Sequence, residues 1–346
     1  MIHLTEYAHA AGCGCKIAPA VLKSILKEIE PGLDFPSLLV GNSTNDDAAV
    51  WEIGNGLSLI NTVDFFMPIV DDAFDFGRIA AANAISDIYA MGGKPHFANA
   101  ILGWPVEQLP ANLAAQVLNG ARTICELAGI PLAGGHSVDA KEPFFGLSVT
   151  GSVLTEHIKR NNTGEAGNVL FLTKPLGTGI ISTGVKRKLA SAQLLQAAIS
   201  SMVKLNSLGE QLASMPEVTA ITDITGFGFL GHLIEMAESS GVSASIEVKA
   251  IQAIEGIDEL LSQNCVPDNT YRNWNAIEQQ VDGMMDMRSF QLLNDPQTSG
   301  GLLIAVREEA APAFSLFLEE QGLGAFKVPV GRLEPSSEKL VHLKMD

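Results

Sequence analysis

Residues 62–95 read TVDFFMPIVDDAFDFGRIAAANAISDIYAMGGKP, and three signals succeed one another within them. A strand-like run ends at Asp64, paired aspartates follow, and an alanine-rich helix extends from about Ala73 to Met91. Gly92-Gly93 supplies the helix stop. Asp71-Asp72 and Asp75 read as helix-start residues, favoured by the positive N-terminal end of the dipole. Upstream, Ala48–Ile53 and Leu57–Asp64 are two strand-like runs joined by the turn-forming Gly54-Asn55-Gly56. Downstream, strand, helix and strand alternate through Ala98–Leu102, Leu109–Ala128 and Phe145–Leu154.

The polar stretch Thr155–Gly167 (TEHIKRNNTGEAG) is the expected domain boundary. Beyond it come a strand at Val169–Thr173, helices near 178–188 and 192–214, a strand ending at Asp223, and a helix at Phe229–Glu238. A strand at Gly300–Val306, a helix at 308–321 and a final strand at 325–332 complete the chain. Mixed strands and helices in two halves give an α+β or α/β protein. The expected division is a mobile, reactive segment over 1–20, an N-terminal domain over 21–155 that opens with a helix at Pro19–Ile29, and a C-terminal domain over 168–346.

With 346 residues the chain is long enough for two cores. Its net charge of −17 argues against nucleic acid or an anionic membrane surface as partner. No apolar run approaches the ~18 residues of a bilayer span. The start lacks a secretory pattern, so a cytoplasmic location is expected. Four cysteines, at 13, 15, 125 and 265, are too sparse for a disulfide framework. The common nucleotide loops are missing, and the histidines show no metal-ligand spacing.

Acidic residues instead recur at element ends. Thr44-Asn45-Asp46-Asp47 precedes a strand, where neighbouring side chains point to opposite faces and so have different tasks. Asp64 ends a strand-like run, and Asp223 precedes the strand–turn–helix junction Thr225-Gly226-Phe227-Gly228. Asp87 lies in the last turns of the alanine helix, where the dipole disfavours a negative charge, and Asn83 is one turn earlier on the same face. Any one such aspartate is more often a cap or turn former than a ligand. Converging, they would repel: two unit charges ~4 Å apart cost on the order of 4 kcal/mol at an effective dielectric of 20. Bound cations would relieve this, and oxygen ligands favour Mg²⁺ or Ca²⁺ over zinc. Gly134-Gly135-His136-Ser137 reads as a turn after an apolar strand, suited to holding phosphate with backbone N–H groups. In the N-terminal stretch, Cys13, Cys15 and Lys16 sit together between glycines, and a neighbouring ammonium raises the thiolate fraction. A redox pair, a soft-metal clamp and incidental cysteines all remain open on this chemistry alone.

AGCGCK, GNSTNDDAAV, the 62–95 stretch, LAGGHS, TDITGFGFLGHL and NDPQTSGGLL occur in this order and together resemble the selenophosphate synthetase family. That family sits within the aminoimidazole-ribonucleotide-synthetase-like superfamily. The resemblance implies a two-domain α+β fold, and a homodimer in which N-terminal strands of both subunits form a barrel. It implies the conversion of ATP, selenide and water to selenophosphate, AMP and phosphate with Mg²⁺. Cys13 matches the reactive cysteine and Lys16 the lysine that contacts nucleotide phosphates. Asp47, Asp87 and Asp223 match metal-binding aspartates. Thr44, Asn45, Asp46 and Asp64 match nucleotide contacts, as do Gly135, His136 and Ser137 reaching across the dimer. A selenium-delivery protein is a further partner to expect. The competing readings are another ATP-dependent kinase or ligase of the superfamily, and a non-enzymatic selenium or soft-metal carrier.

Overall fold

A computed structural model describes residues 2–8, 21, 24–25, 28, 33–41 and 46–345 of the chain. Expectations for Cys13, Lys16, Thr44, Asn45 and most of the Pro19–Ile29 helix lie outside the described residues.

Alternation builds the first sheet. It comprises β1 (Leu38–Val40), β2 (Ala49–Gly54), β3 (Leu57–Phe66), β4 (Lys94–Trp104), β5 (Leu132–Asp139) and β6 (Phe144–Leu154). Their order is β1-β2-β3-β6-β4-β5, antiparallel except for β4 with β5. Along β3, Ile60, Thr62 and Phe66 turn inward while Leu59, Val63 and Phe65 face out, the period-2 pattern of a strand. Asn55 (φ 56°) between two positive-φ glycines makes the β2–β3 hairpin turn.

Helices α1 (Ala73–Ala90) and α2 (Ala111–Leu127) cover the inner face. Asp72 caps α1 by accepting from Asp75 N at 2.8 Å, and Gly92 (φ 74°) ends it. The two helices cross closely because each brings a glycine to the contact. A Cβ on Gly77 would lie 1.9 Å from Val117 O, and one on Gly120 2.0 Å from Phe74 O. Nearly every residue of α1 is buried, so it is enclosed on all sides rather than along one stripe.

The second sheet explains why. It contains β7 (Val169–Leu172), β8 (Val218–Asp223), β9 (Val242–Glu247), β10 (Val281–Asp282), β11 (Leu302–Val306), β12 (Gly331–Pro335) and β13 (Val341–Lys344), in the order β10-β13-β9-β12-β7-β11-β8. Around it lie α3 (Thr178–Lys186), α4 (Ala192–Met202), α5 (Leu208–Leu212), α6 (Gly228–Ser240), α7 (Ile257–Ser262), α8 (Asp268–Ile277), α9 (Met287–Leu293) and α10 (Ala311–Glu320). The far side of α1 packs on β8, α4 and α5, and one hydrophobic core joins the two sheets through it. A second cluster, centred on Phe171, Ile221, Ile304 and Phe314, lies on the side of α10.

Three expectations need correction. The helix over 192–214 is two helices, because residues 203–207 break to bring Asn206 against Ser86 and Gly300. The strand expected over 325–332 begins only at Gly331, since Gly324–Phe326 forms a 3₁₀ turn, and it is not the final one, because β13 follows it. Gly134–Ser137 is not a turn but the middle of β5. Glycine is needed there for approach: a Cβ on Gly135 would lie 2.2 Å from Ala100 O of β4.

Candidate active site

The site forms where α1 meets the ends of β3 and β8. Two rungs join α1 to β3. Thr62 Oγ1 donates to Asp87 Oδ2 at 2.5 Å, and Asn83 Nδ2 donates to Asp64 Oδ2 at 2.5 Å. Thr62 and Asp64 are two apart on a strand, and Asn83 and Asp87 are four apart on a helix, so both pairs share a face. A third link crosses to the second sheet, with Ser86 Oγ donating to Asp223 Oδ2 at 2.5 Å. Asn206 Nδ2 donates to Ser86 Oγ at 2.8 Å and to Gly300 O at 2.9 Å.

Asp47 enters from the loop before β2 and accepts from Thr222 Oγ1 at 2.9 Å. Its other oxygen, Oδ2, is sealed from water and has no hydrogen-bond partner. Burial pushes the Asp47 carboxyl well above the usual range, and the charges of Asp223 and then Asp87 push it further; Thr222 opposes them. Leaving such an oxygen unsatisfied costs about 1–3 kcal/mol. Asp46, its neighbour, turns elsewhere and accepts from Asn161 N at 2.9 Å.

The structure therefore brings Asp87 and Asp223 within electrostatic reach of Asp47, with Asp64 held by Asn83 one helical turn before Asp87. Among the described residues no three acidic, histidine or cysteine side chains form a ready-made chelate. Each of the three aspartates is instead held by a hydroxyl, from Thr222, Thr62 and Ser86. The donor set is all oxygen, and Asp47 Oδ2 lacks a counterpart, which fits a hard cation such as Mg²⁺.

Gly135, His136 and Ser137 do not join this group within one chain. They are exposed on the edge strand β5, three strand positions from β3, or about 14 Å at the usual spacing.

Sequence reading missed the groups that hold the acids. Buried Lys174 donates through Nζ to Lys204 O at 2.7 Å and to Ser299 O at 2.8 Å. Burial lowers its pKa to about 7, against the opposing pull of Asp223. Ser299, at φ 50°, donates its N–H to Asn83 Oδ1 at 2.7 Å. The available signal was Asn83, Ser86 and Asp87 themselves, three polar residues inside an almost wholly buried helix.

The chain matches the family models AIR synthase related protein, N-terminal domain, over residues 45–153, and AIR synthase related protein, C-terminal domain, over 165–343. It is 53% identical over 333 residues to a selenide, water dikinase of Aeromonas salmonicida, covering 96% of each chain. A selenide, water dikinase of Colwellia psychrerythraea is 52% identical over 99% of this chain and 98% of its own. The chain belongs to the selenide, water dikinase family.

Solved structures similar to it share the dikinase fold at low identity. Thiamine-monophosphate kinase from Stenotrophomonas maltophilia matches with a TM-score of 0.65 at 18% identity, over 96% of this chain and 97% of its own. The hydrogenase maturation protein HypE in complex with ATP gives a TM-score of 0.65 at 17%, over 100% of this chain and 95% of its own. Within the dikinase chain no described helix is long and apolar enough to cross a membrane.

Proposed function

We propose that this chain makes selenophosphate, AMP and phosphate from ATP, selenide and water, at the corner where Asp47, Asp87 and Asp223 meet. The observation that carries this reading is the sealed, unpartnered Asp47 Oδ2 with two further carboxylates beside it. Asp47, Asp87 and Asp223 are the residues that would hold Mg²⁺, which when bound supplies neutralising charge to the phosphates. Thr62, Ser86 and Thr222 orient these three carboxylates, and Asn83 orients Asp64. Asp46 and Asp64, with Thr44 and Asn45, are assigned to the nucleotide. Lys16 adds a cation at the γ- or β-phosphate, and Cys13 captures or orients selenium, from free selenide or a delivery protein. A reactive thiol of this kind suits the reducing cytoplasm.

Anaerobic ³¹P NMR with ATP and Mg²⁺, with and without selenide, tests the reading. Selenide-dependent AMP, phosphate and a selenium-coupled phosphorus signal are expected. ATP turnover indifferent to selenide would assign the chain to another chemistry of the superfamily.

We further propose a homodimer through the outer face of the first sheet, closing a barrel of N-terminal strands. Trp51, Leu59, Val63, Phe65 and Phe97 stand exposed side by side on that face, an apolar surface that a second copy would cover. Gly135, His136 and Ser137 would then serve the partner's nucleotide. Sedimentation velocity should show a dimer for the wild type and monomer for Val63→Glu/Phe65→Glu; an unchanged dimer would move the interface elsewhere.

A further inference from the structure

Asp71 does not help start α1, as its place beside Asp72 suggests. Asp72 alone makes the cap. Asp71 instead receives the beginning of the chain. His3 Nδ1 lies 2.7 Å from Asp71 Oδ2, and Thr5 donates to Asp71 Oδ1 through its N–H at 3.2 Å and its hydroxyl at 2.5 Å. Leu4, between them, is fully buried in the core. Burial alone would raise the Asp71 carboxyl, but Thr5 and His3 outweigh it and hold the carboxyl below its ordinary value.

The same short segment is fastened to the other half of the molecule. Lys186 Nζ, at the end of α3, donates to Ala8 O at 2.8 Å. Lys188 Nζ reaches Glu6 at 3.1 Å, although this pair is exposed and contributes little. Residues 2–8 thus bridge the loop before α1 and the end of α3. Cys13 comes five residues after Ala8 and Lys16 eight. At ~3.5 Å per residue, five residues of chain span at most about 18 Å and eight about 28 Å.

We propose that Asp71 is a positioning residue for the reaction: with Lys186 it fixes, astride both domains, the point from which the chain carrying Cys13 and Lys16 departs. The proposal rests on the reading that Cys13 and Lys16 take part in catalysis. Anchoring acts through effective concentration, so its loss lowers kcat rather than the affinity of the carboxylate corner for nucleotide.

The test uses the full-length protein and two readouts. The first is selenide-dependent AMP formation. The second is the rate of Cys13 alkylation by iodoacetamide, followed by mass spectrometry with and without Mg²⁺–ATP; Cys125 and Cys265 are buried. Asp71→Ala should lower kcat roughly tenfold with KM for ATP within about twofold. Asp71→Asn should recover part of the loss, because its amide oxygen still accepts from Thr5. Thr5→Val should lower kcat in the same direction, and the Asp71→Ala/Thr5→Val pair should be no worse than the worse single. Asp71→Ala should also weaken the effect of Mg²⁺–ATP on Cys13 alkylation. Full kcat in both single variants, fully additive losses, or a loss confined to KM would overturn the proposal. If the wild type forms no AMP with selenide, the functional reading fails. The anchor is then judged on alkylation alone, where an Asp71→Ala rate equal to wild type sinks it.

Discussion

Asp47 and Asp295 are both sealed acids whose carboxyls sit above their usual range, and each keeps one oxygen without a hydrogen-bond partner. Their neighbours separate them. Asp295 Oδ2 accepts from Gly179 N at 3.0 Å, at the start of α3, and from Gln297 Nε2 at 2.8 Å. Burial pushes it up to about 8, and only hydrogen bonds oppose that shift. Asp47 is raised by burial and then by Asp223 and Asp87. A lone buried acid resolves its predicament by keeping its proton, whereas converging acids call for a cation. An unpaired oxygen is thus no mark of function unless like charges surround it.

The largest expected effect tests that separation directly. Asp47→Asn should lower selenide-dependent AMP release on the order of 10²–10³-fold, and Asp295→Asn by no more than about threefold. Equal losses would erase the distinction between the two acids.

Next in size is a pH effect on stability that belongs to Asp295. Its folded pKa of about 8 lies above the ordinary 3.8, so the folded state holds a proton that the unfolded state has released. Stability contributed by this group is therefore complete at low pH and is lost as pH rises from about 4 to about 8. Asp295→Asn cannot lose a proton and should flatten the fall of Tm between pH 5 and 8. The flattening should be on the order of 1–3 kcal/mol, or roughly 1–4 °C for a chain of this length. An unchanged slope in thermal melts without nucleotide would show that Asp295 is ionised in the folded protein.

The smallest effect sharpens the Asp47 side. Thr222→Val removes the hydroxyl that donates to Asp47 and should weaken activation by Mg²⁺ roughly tenfold, leaving kcat at saturating Mg²⁺ within about twofold. Activity titrated against Mg²⁺ separates the two. A fall in saturated kcat would make Thr222 more than a support for its neighbour.

Periodicity and turn chemistry carried much of the fold. The Gly54-Asn55-Gly56 hairpin, α1 with its glycine stop, and β8 ending at Asp223 lie close to where their residues place them. Elements whose reason is tertiary did not show. β5 runs through two glycines because it must lie close to β4, and glycine reads as a turn without that neighbour. The 192–214 helix breaks for Asn206, whose partners are 120 and 94 residues away in sequence. In the site, Asp47, Asp87 and Asp223 stood out as acids beside turns and helix ends. Lys174 and Ser299 did not, since one is a single lysine at a strand end and the other a serine in a glycine-rich loop. Their roles exist only once Ser299 has met Asn83.

The burial of α1 on every side has a practical consequence for anyone dividing this chain. Cutting in the 155–167 stretch would yield an N-terminal fragment whose central helix presents Ser86, Tyr89 and Ala90 with no second half to receive them. Such a fragment would be a poor candidate for separate expression, prone to precipitate or to scavenge a substitute surface. The boundary between the halves is legible in their sheets, yet the helix that belongs to the first is a structural tenon cut for the second.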